Sequence, residues 1–381
     1  MSQFAVRIRR IDAVARHPKA DRLDLASIGG FCAVIGRGTR VAGDLVAYIP
    51  EAAICPQHVL ERMGLWNADA GKGLCAGPKG DRIKALTIRG MLSQGLAWPL
   101  EFDGKAWMLK TSQGTLHTVR EGDDAAALLG IHKHVPEIPA ELAGLVFDAG
   151  IDIMPKFDFE DVKTFPDVLV DGEEVEFTEK LHGTQIVLVR LPDGLADPEQ
   201  GRYRVASKGL SGDGLAFELC TENHGNVYVS AFVQLGLAAK LDALAAALPG
   251  AENKPVVVLA ELVGSASRQD LKYGEHTSVR LFEIALGTRS DLVYRNRNEV
   301  QRLAALVGWP GAPVLYRGPF STPILQAHTA GKETLSGQAL HIREGVVIRT
   351  VPDRRDPAIG RVILKSINPA YALRDGGSEH N

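Results

Sequence analysis

The sequence has few cysteines, which form the disulfides of secreted proteins, and it has no apolar run long enough to cross a membrane. None of its apolar runs approaches the ~20 residues that a membrane-spanning helix requires, and the first residues, MSQFAVRIRR, lack the apolar core of a signal peptide. The four cysteines are scattered along the chain and form no CxxC pair, which argues against a zinc site and a disulfide framework. We therefore expect a protein of the reducing cytoplasm that does not engage a membrane.

Net charge is also small, but the charges are unevenly distributed. The chain carries 43 Lys and Arg against 46 Asp and Glu, which gives a net charge of −3. Residues 154–179 hold nine acids and two lysines, a local charge of −7, so the remainder of the chain totals +4. Residues 1–23 carry six basic residues against two acids, and residues 72–89 carry five against one. Such basic stretches are compatible with phosphate contacts, although a solvated surface is the plainer interpretation.

The N-terminal third is rich in short strand patterns. The segments FAVRIRRIDAVA, LDLASI, FCAVIGRG, DLVAYIP, IKALTIRG and GLAWPL are separated by Gly and Pro, with helix candidates only at HVLERMG and DAAALLG. Short strands with turn signals between them predict a small β-barrel of OB type. We place this OB-like module at residues 1–130 and a linker at 131–150.

The remainder of the chain, residues 151–381, predicts an α+β domain. Strand patterns such as VEFTEK, QIVLVRL, PVVVLAELVG and GVVIRT alternate with helices. The clearest helices are predicted over 229–248 and over 296–307. Antiparallel strands dominate this domain.

One lysine in this domain stands out. The stretch EKLHG places Lys180 at the end of a strand pattern, with Gly183 three residues later. A lysine is normally protonated and becomes a nucleophile only when burial or cationic neighbours remove its proton. Gly183 would let the backbone approach a bulky ligand. Alone the pattern is weak, because a surface lysine before a turn is the common case.

Five further residues supply what a nucleotide pocket needs. Lys208 lies in SKG, Glu261 in AELVG, Phe282 in LFEIA, Glu344 in EGVVIR and Lys365 in ILK. Together they offer cations for phosphates, an acceptor for ribose hydroxyls, an aromatic ring for a base and a carboxylate for a metal ion. Each also has a plainer explanation, since an isolated phenylalanine is usually core and a glutamate at a strand end is usually solvated.

The series EKLHG, SKG, AELVG, LFEIA, EGVVIR and ILK resembles the motif set of the covalent nucleotidyltransferases, the superfamily of ATP-dependent ligases and mRNA-capping enzymes. The histidine in K-x-H-G is similar to that of phage T4-type RNA ligases of the second kind and of trypanosome RNA-editing ligases. With HPKADRLDLASIGG at 17–30 and IRGMLSQGL at 88–96, the likeness to RNA ligases of Deinococcus type extends over nearly the full length. It implies an OB-like β-barrel followed by an ATP-grasp-like nucleotidyltransferase domain of antiparallel sheets and helices.

The resemblance implies an ATP-dependent RNA ligase that uses Mg²⁺ or Mn²⁺. In such enzymes the lysine, here Lys180, attacks the α-phosphate of ATP and forms lysyl-AMP. The AMP then passes to a 5′-phosphate on RNA, and a 3′-hydroxyl displaces it. The implied partner is a nick in duplex RNA or in an RNA–DNA hybrid, and a monomer is the default expectation.

The same resemblance assigns roles to individual residues. Glu261 would accept hydrogen bonds from the ribose hydroxyls, and Phe282 would stack on adenine. Glu344 would bind the metal ion directly or through water, Lys365 would hold the α-phosphate, and Lys208 stands where many relatives have arginine. The remaining nucleotide contacts are assigned to the backbones of Glu179 and Leu181, to His182 as a group that orients pyrophosphate or the motif loop, and to Gly183 and Gln185.

One departure from the family pattern concerns the last motif. Relatives often carry two lysines spaced K-x-K, whereas RVILKSIN has only Lys365, with Ile363 or Ile367 at the other position. Either Lys365 suffices alone, or Arg361 or Arg349 compensates.

The basic residues of the N-terminal module are candidates for nucleic-acid contacts. HPKADRL resembles a segment of OB-type tRNA-binding domains, and OB barrels bind nucleic-acid strands on a basic face. Few aromatic residues lie among these cations, which favours contacts with a duplex backbone over stacking on bases. The alternative is that His17 and Asp21 only build a turn. The candidate contacts are Arg7, Arg9, Arg16, Lys19, Arg22, Lys84 and Arg89.

Three other functions compete with an RNA ligase. A DNA ligase or a GTP-using capping enzyme fits less well, because the motif is K-x-H-G and only about fifteen residues follow Lys365, too few for a C-terminal OB module. A non-enzymatic RNA-binding protein with a tRNA-binding-like OB domain is the alternative from another class. The intact Lys180, Glu261 and Glu344 argue against it.

Overall fold

The N-terminal domain is a strand-rich barrel, as its sequence predicts. The computed structural model describes residues 4–134, 143–264, 273–274 and 276–373. In the first of these ranges the strands are β1 (Arg7–Arg10), β2 (Ala13–Arg16), β3 (Leu23–Ile28), β4 (Phe31–Gly36), β5 (Leu45–Ile49), β6 (Ala53–Ile54), β7 (Trp66–Asn67), β8 (Lys72–Gly73), β9 (Leu86–Ile88), β10 (Met91–Ser93), β11 (Leu96–Pro99), β12 (Glu101–Phe102), β13 (Trp107–Lys110), β14 (Leu116–Val119) and β15 (His132–Lys133), and the helices are α1 (Gln57–Arg62) and α2 (Ala126–Leu129).

Antiparallel pairing builds this domain from small sheets. β5 lies between β1 and β11, and β3 lies between β2 and β4. β5 is buried along its whole length because it packs against both of the domain's apolar clusters, one under α1 and α2 and one under β3 and β4. Strands of alternating burial, such as β3, therefore keep one face for solvent or for a partner.

The second domain contains two five-stranded sheets and the helices that cover them. Its strands are β16 (Val146–Asp148), β17 (Glu160–Asp161), β18 (Glu174–Lys180), β19 (Thr184–Arg190), β20 (Tyr203–Ser207), β21 (Leu215–Phe217), β22 (Val256–Val263), β23 (Ser278–Leu286), β24 (Val293–Tyr294), β25 (Val314–Pro319), β26 (Gly345–Thr350), β27 (Arg355–Asp356), β28 (Gly360–Arg361) and β29 (Ile363–Ile367). Its helices are α3 (Lys208–Gly212), α4 (Val227–Gln234), α5 (Leu237–Ala247), α6 (Arg297–Leu306), α7 (Thr322–Thr329) and α8 (Pro369–Ala372).

The two sheets face each other across a cleft. Sheet 1 has the order β17-β29-β26-β18-β25, in which only the β17–β29 pair is parallel, and sheet 2 has the antiparallel order β20-β19-β22-β23-β24. Sheet 2 is buried on both faces, since alternate residues of β19 enter a cluster with α4, α5 and α6 or a second cluster on the cleft side. This explains why its strands read as nearly continuous apolar runs rather than as alternating ones.

The sequence prediction of one helix over 229–248 is wrong. The structure has two helices there, α4 and α5, which meet at an angle of 68°. Gly236 lies between them with φ of 60°, a left-handed conformation that a helix interior does not contain. The helix predicted over 296–307 is present as α6, and Asn296 caps it by accepting a hydrogen bond from Glu299 N at 3.0 Å.

The predicted linker over 131–150 differs from the structure at both ends. β15 pairs with β6 of the N-terminal domain, and β16 pairs with β21 of the second domain. Residues 135–142 of the predicted linker lie outside the described residues. Among the described residues, no single helix is long and apolar enough to cross a membrane.

Candidate active site

Lys180 lies where the chain crosses from one sheet to the other. It is the last residue of β18 in sheet 1, and residues 181–183 lead directly into β19 of sheet 2. Antiparallel pairing puts Lys180 opposite Gly345, so Glu344 arrives beside the lysine at the start of β26. The Nζ atom of Lys180 donates a short hydrogen bond to Oε1 of Glu344. A carboxylate thus contacts the predicted nucleophile at the edge of the cleft.

The histidine of the motif is held by aromatic residues. His182 is buried, its Nδ1 contacts the hydroxyl of Tyr371, and the same nitrogen lies 3.9 Å from Oε2 of Glu344. The backbone N–H of His182 donates to the hydroxyl oxygen of Tyr273 at 2.7 Å. Tyr371 belongs to α8, which follows β29 at once. The motif loop is therefore fixed by residues far from it in the sequence.

The glycine of the motif is required by packing within the domain. A Cβ atom at Gly183 would lie 2.3 Å from the carbonyl oxygen of Leu262 in β22. The structure therefore shows a close approach between two backbone segments of the domain at Gly183. Gly183 also does not line the pocket described next.

A pocket opens between the two sheets beside Lys180. Sheet 1 supplies Lys180 and Lys365, and sheet 2 supplies Glu261 and Phe282, so residues from opposite walls converge as the sequence predicts. Of the predicted nucleotide contacts, His182 and Gly183 do not line the pocket. The predicted metal ligand Glu344 does not line it either, but it contacts Lys180, which does. The lining residues are Asp158, Phe159, Thr178, Glu179, Lys180, Leu181, Gln185, Lys208, Glu261, Phe282, Ala312, Val347, Arg349 and Lys365.

Phe282 reaches the pocket because of a β-bulge. In the β22–β23 pairing Leu259 is opposite Glu283 and Ala260 is opposite Leu281, so Phe282 has no partner residue. An inserted residue of this kind redirects the side chains next to it. The bulge therefore lets Phe282 line the pocket while its neighbour Glu283 also takes part in contacts across the cleft.

Burial perturbs the charged groups of the pocket. Desolvation raises the pKa of Glu261 to about 8, although Lys180 nearby opposes the shift. Burial also lowers the pKa of Lys208, and the Asp158 carboxylate, which accepts a hydrogen bond from its Nζ at 2.9 Å, opposes that shift. Perturbed titratable groups that line one cleft are typical of functional sites.

Three residues that line the pocket each have a buried polar atom without a hydrogen-bond partner among the described residues. They are Oε1 of Glu179, Nε2 of Gln185 and Nε of Arg349. The other carboxylate oxygen of Glu179 accepts hydrogen bonds from Thr334 N at 2.8 Å and Thr334 Oγ1 at 2.6 Å. Buried polar atoms are rarely left unpaired, so these three atoms suit a polar ligand.

Arg349 and Arg361, the two candidates to replace the second lysine of the K-x-K motif, are both already paired with carboxylates. Arg349 lines the pocket, but it donates a short hydrogen bond to the buried Glu283. Arg361 donates to Glu283 at 2.9 Å and to Asp353 at 2.8 Å. Lys365 lines the pocket, and the residues two positions before and after it are Ile363 and Ile367, so this motif contributes one lysine.

The sequence interpretation missed Asp158 and Phe159. They come from the acidic stretch, which carries no clear strand or helix period. Asp158 pairs with Lys208, and the Phe159 ring lies 6.0 Å from that of Phe282. The pattern FDFE at residues 157–160, in which an acid lies between two phenylalanines, is the sequence feature that could have indicated these two pocket residues.

Comparison with protein families identifies the family of this chain. The model of the RNA ligase family matches residues 173–367, more than half of the chain. The chain belongs to the RNA ligase family. A second family, an OB-fold domain, matches residues 5–100 of this ligase. Together these matches confirm the predicted fold class of an OB-like barrel followed by a nucleotidyltransferase domain.

Solved structures show the same fold over nearly the whole ligase. Naegleria gruberi RNA ligase with PPi superposes with a TM-score of 0.73 at 20% identity, covering 97% of this chain and 98% of that one. A variant of the same protein with ATP and Mn gives a TM-score of 0.73 at 19% identity, covering 96% and 97%. No curated protein matches the sequence. At this identity the likeness establishes the shared fold.

The predicted basic contacts of the ligase divide into two groups. Arg16, Lys19, Arg22 and Arg89 are exposed, and the loop that carries Lys19 packs on the β9–β10 hairpin, where Arg89 Nη1 lies 3.5 Å from Lys19 O. His17 holds this loop, since its Nε2 lies 3.0 Å from Ile88 O.

Three other predicted contacts are at least half-buried and differently placed. Arg7 donates to Gly122 O at 3.0 Å, and Lys84 is half-buried. Arg9 donates to Thr164 O at 3.0 Å and therefore joins the OB-fold domain to the ligase domain. For Arg9 the structure shows an interdomain contact, and its nucleic-acid contact stays a prediction.

Proposed function

We propose that this RNA ligase is ATP-dependent and seals 5′-phosphate, 3′-hydroxyl nicks in duplex RNA or RNA–DNA hybrids through a lysyl-AMP intermediate. The observation that supports this is the position of Lys180, which lies at the junction of the two sheets with its Nζ on Glu344 and lines the same pocket as Lys208 and Lys365. Phosphoryl transfer asks the protein mainly for positioning and charge neutralisation, and this pocket supplies both.

The walls of the pocket suit the parts of a nucleotide. Phe282 from sheet 2 and Val347 from sheet 1 provide apolar surfaces for a base, and Glu261 provides an oxygen for ribose hydroxyls. At neutral pH the raised pKa of Glu261 keeps most of its carboxyl groups protonated. The three unpartnered polar atoms belong to residues that line the same pocket and offer hydrogen bonds for the heteroatoms of the nucleotide.

The proposed chemistry follows from the lysine. The neutral amine of Lys180 attacks the α-phosphorus of ATP, so that the Nζ–P bond forms while the bond to the bridging oxygen breaks and pyrophosphate leaves with the electron pair. The 5′-phosphate of the nick then displaces lysine and takes the AMP. Finally the 3′-hydroxyl attacks this activated phosphate, the phosphodiester forms and AMP leaves.

The metal ligand set fits a hard divalent cation. Glu344 offers carboxylate oxygens beside Lys180, and among the described residues no group of three His, Cys, Asp or Glu side chains could enclose a metal ion. Mg²⁺ and Mn²⁺ accept such sites, because Mg²⁺ usually keeps several waters and binds through one or two carboxylates and substrate phosphates. When bound, the cation would neutralise phosphate charge and disfavour the ammonium form of the lysine.

Covalent labelling tests the proposal. Wild type and Lys180→Ala, both treated with pyrophosphate to remove any AMP already bound, are incubated with α-³²P-ATP and Mg²⁺ and separated on a denaturing gel. We expect an acid-labile adduct in the wild type and in Lys254→Ala, an exposed lysine that pairs with Asp291, but none in Lys180→Ala. Absence of an adduct from the wild type with both ATP and GTP would favour the non-enzymatic RNA-binding alternative.

Sealing assays then define the substrate. Nicked RNA duplexes, nicked RNA–DNA hybrids and nicked DNA duplexes of one sequence are compared with the wild type. Sealing confined to nicked DNA would refute the RNA specificity and leave the covalent chemistry intact. The cytoplasmic localisation, the monomeric state and the Deinococcus-type subfamily stay predictions.

A further inference from the structure

Arg349 lies at the end of the pocket that is farther from Lys180. In the pairing of β18 with β26, Lys180 is opposite Gly345 and Glu176 is opposite Arg349. At about 3.3 Å per residue, the backbone of Arg349 is displaced by about 13 Å along the strand from the residue opposite Lys180. Alternation along β26 puts Val347 and Arg349 on one face, and both line the pocket.

The opposite wall of the cleft holds Arg349 at this end. Its Nη1 atom donates a short hydrogen bond to Oε1 of Glu283 in sheet 2. Glu283 directly follows Phe282 in β23, and Phe282 lines the pocket. The guanidinium group is therefore held by the neighbour of the residue that carries the predicted base-stacking ring.

Most donors of this guanidinium group have no protein acceptor. Arg349 is almost fully buried, and its Nε has no hydrogen-bond partner. Among the described residues the guanidinium group makes one hydrogen bond, the one to Glu283. A guanidinium group has five N–H donors, and buried polar groups are rarely left unpaired. An acceptor on a bound ligand would satisfy the donors that remain.

The two carboxylates beside this guanidinium group also bind other side chains. Oε2 of Glu283 accepts a hydrogen bond from Arg361 at 2.9 Å. Glu176, which lies opposite on β18, accepts a short hydrogen bond from Arg297 on one oxygen and a hydrogen bond of 3.2 Å from Gln301 on the other. The pocket is therefore where an acceptor for the remaining donors can enter.

The base is the part of a nucleotide that suits this position. On the proposed function Lys180 attacks the α-phosphorus, so the phosphates lie at its end of the pocket and the base extends towards the other end. A purine ring is neutral and carries acceptor nitrogens. Such a ring matches a donor whose positive charge Glu283 already compensates.

We propose that Arg349 is a base-recognition residue of this pocket and donates a hydrogen bond to an acceptor nitrogen of the purine ring. The inference rests on the proposed function and deepens it, since it assigns recognition of the base to the arginine of EGVVIR. The atom that it contacts decides whether Arg349 separates adenine from guanine, because N1 is an acceptor in adenine and a donor in guanine, whereas N3 and N7 are acceptors in both.

The test compares the binding of ATP with that of its 1-deaza, 3-deaza and 7-deaza analogues, each of which replaces one acceptor nitrogen by C–H. All measurements use isothermal titration calorimetry with Mg²⁺ and the full chain carrying Lys180→Ala, which lacks the proposed nucleophile. We expect one analogue to bind about tenfold more weakly than ATP when Arg349 is present. When Glu283→Leu and Arg349→Met replace the ion pair, the same analogue and ATP should bind equally well.

The matched control removes a different buried ion pair. Glu176→Leu with Arg297→Met replaces the pair opposite Arg349 by apolar groups, and neither residue lines the pocket. This control should discriminate against the same analogue as the protein that retains both pairs. Thermal unfolding of each variant is recorded in parallel. If Glu283→Leu with Arg349→Met does not fold, Arg349→Lys carries the test, because it keeps a cation for Glu283 and loses the guanidinium fork.

Two results would overturn the assignment of Arg349. The same discrimination against all three analogues with and without the arginine would show that it does not contact the ring nitrogens. A loss of affinity for inorganic pyrophosphate as large as the loss for ATP, on replacing Arg349, would make it a phosphate contact instead. A wild type that forms no adduct contradicts the proposed function, whereas the binding ratios need no adduct and test Arg349 separately.

Discussion

Replacing the buried Glu283 by glutamine should destabilise the ligase domain strongly. Glu283 is fully buried and accepts hydrogen bonds from two guanidinium groups, a short one from Arg349 and one of 2.9 Å from Arg361. Arg349 is also almost fully buried, and burial lowers its pKa. A neutral amide at position 283 leaves these cations with less compensating charge in a region that excludes water.

The expected magnitude follows from the cost of an uncompensated buried charge. Removing one partner of a buried ion pair costs about 3–5 kcal/mol. For a domain of this size each kcal/mol lowers the midpoint of thermal unfolding by about 2–4 °C, so Glu283→Gln should lower it by about 6–20 °C. Arg361 loses less than Arg349, because Asp353 still accepts a hydrogen bond from it at 2.8 Å.

Urea and thermal unfolding, followed by circular dichroism, measure this effect. The matched control is Glu121→Gln, the same change in a pair with Arg10 in which both side chains are half-exposed, where a loss below about 1 kcal/mol is expected. A third variant, Glu283→Leu with Arg349→Met, replaces the pair by apolar groups and should recover much of the stability. This double variant should bind ATP more weakly than the wild type, because the replaced Arg349 lines the pocket.

A loss of stability in Glu283→Gln no larger than in Glu121→Gln would refute this reasoning. The carboxylate at position 283 would then be dispensable as a charge, and water or relaxation of the cleft would have to solvate Arg349. The same outcome would also contradict the argument that the pairing with Glu283 keeps Arg349 from binding a phosphate.

Three further predictions concern the pocket and the OB-fold surface. Desolvation raises the pKa of Glu261 from 4.5 to about 8. The protonated carboxyl group therefore contributes its full stabilisation below pH ~4.5, and this stabilisation is lost as pH rises through ~8. Glu261→Gln should flatten the decrease in the free energy of unfolding between pH 5 and 8, measured by urea unfolding of the metal-free protein. Tyr371→Phe removes the hydroxyl that contacts the motif histidine and should slow adduct formation by about tenfold, whereas Tyr316→Phe, which removes a hydroxyl bonded to a carbonyl elsewhere, should not. Lys19→Ala and Arg89→Ala should each weaken nicked-duplex binding and reduce the slope of log affinity against log salt by about 1; an unchanged slope would exclude these side chains from phosphate contacts.

Residues at strand ends were the predictable part of the site. Lys180 and Glu261 converge on one pocket as their motifs imply, because each lies near the end of a strand whose apolar pattern defines which face is buried. The crossing from β18 to β19 also follows from the sequence, since a short glycine-containing loop separates two strand patterns. Local pattern and short loop together leave few alternatives for this part of the fold.

Other contacts could not be predicted from local pattern. Glu283 meets Arg349 across 66 positions of sequence, and the bulge that directs Phe282 into the pocket depends on the register of β22 against β23. The break between α4 and α5 depends on whether Gly236 adopts a left-handed conformation, which a glycine within an apolar helical pattern does not by itself require. These features are decided by tertiary packing.

The single lysine of the last motif lies on a strand whose neighbour, β17, pairs with it at that residue. Ile363 and Ile367 lie two residues from Lys365 on either side and therefore on the same face of β29, so this strand directs one cation where relatives often direct two. A lone ammonium group on a flexible stem stabilises a phosphate only as well as its position allows. Asp161 and Val162 pair with β29 at Lys365 itself. On the proposed function, a phosphate site with fewer charges relies more on positioning, and the pairing of β17 with β29 at Lys365 supplies it.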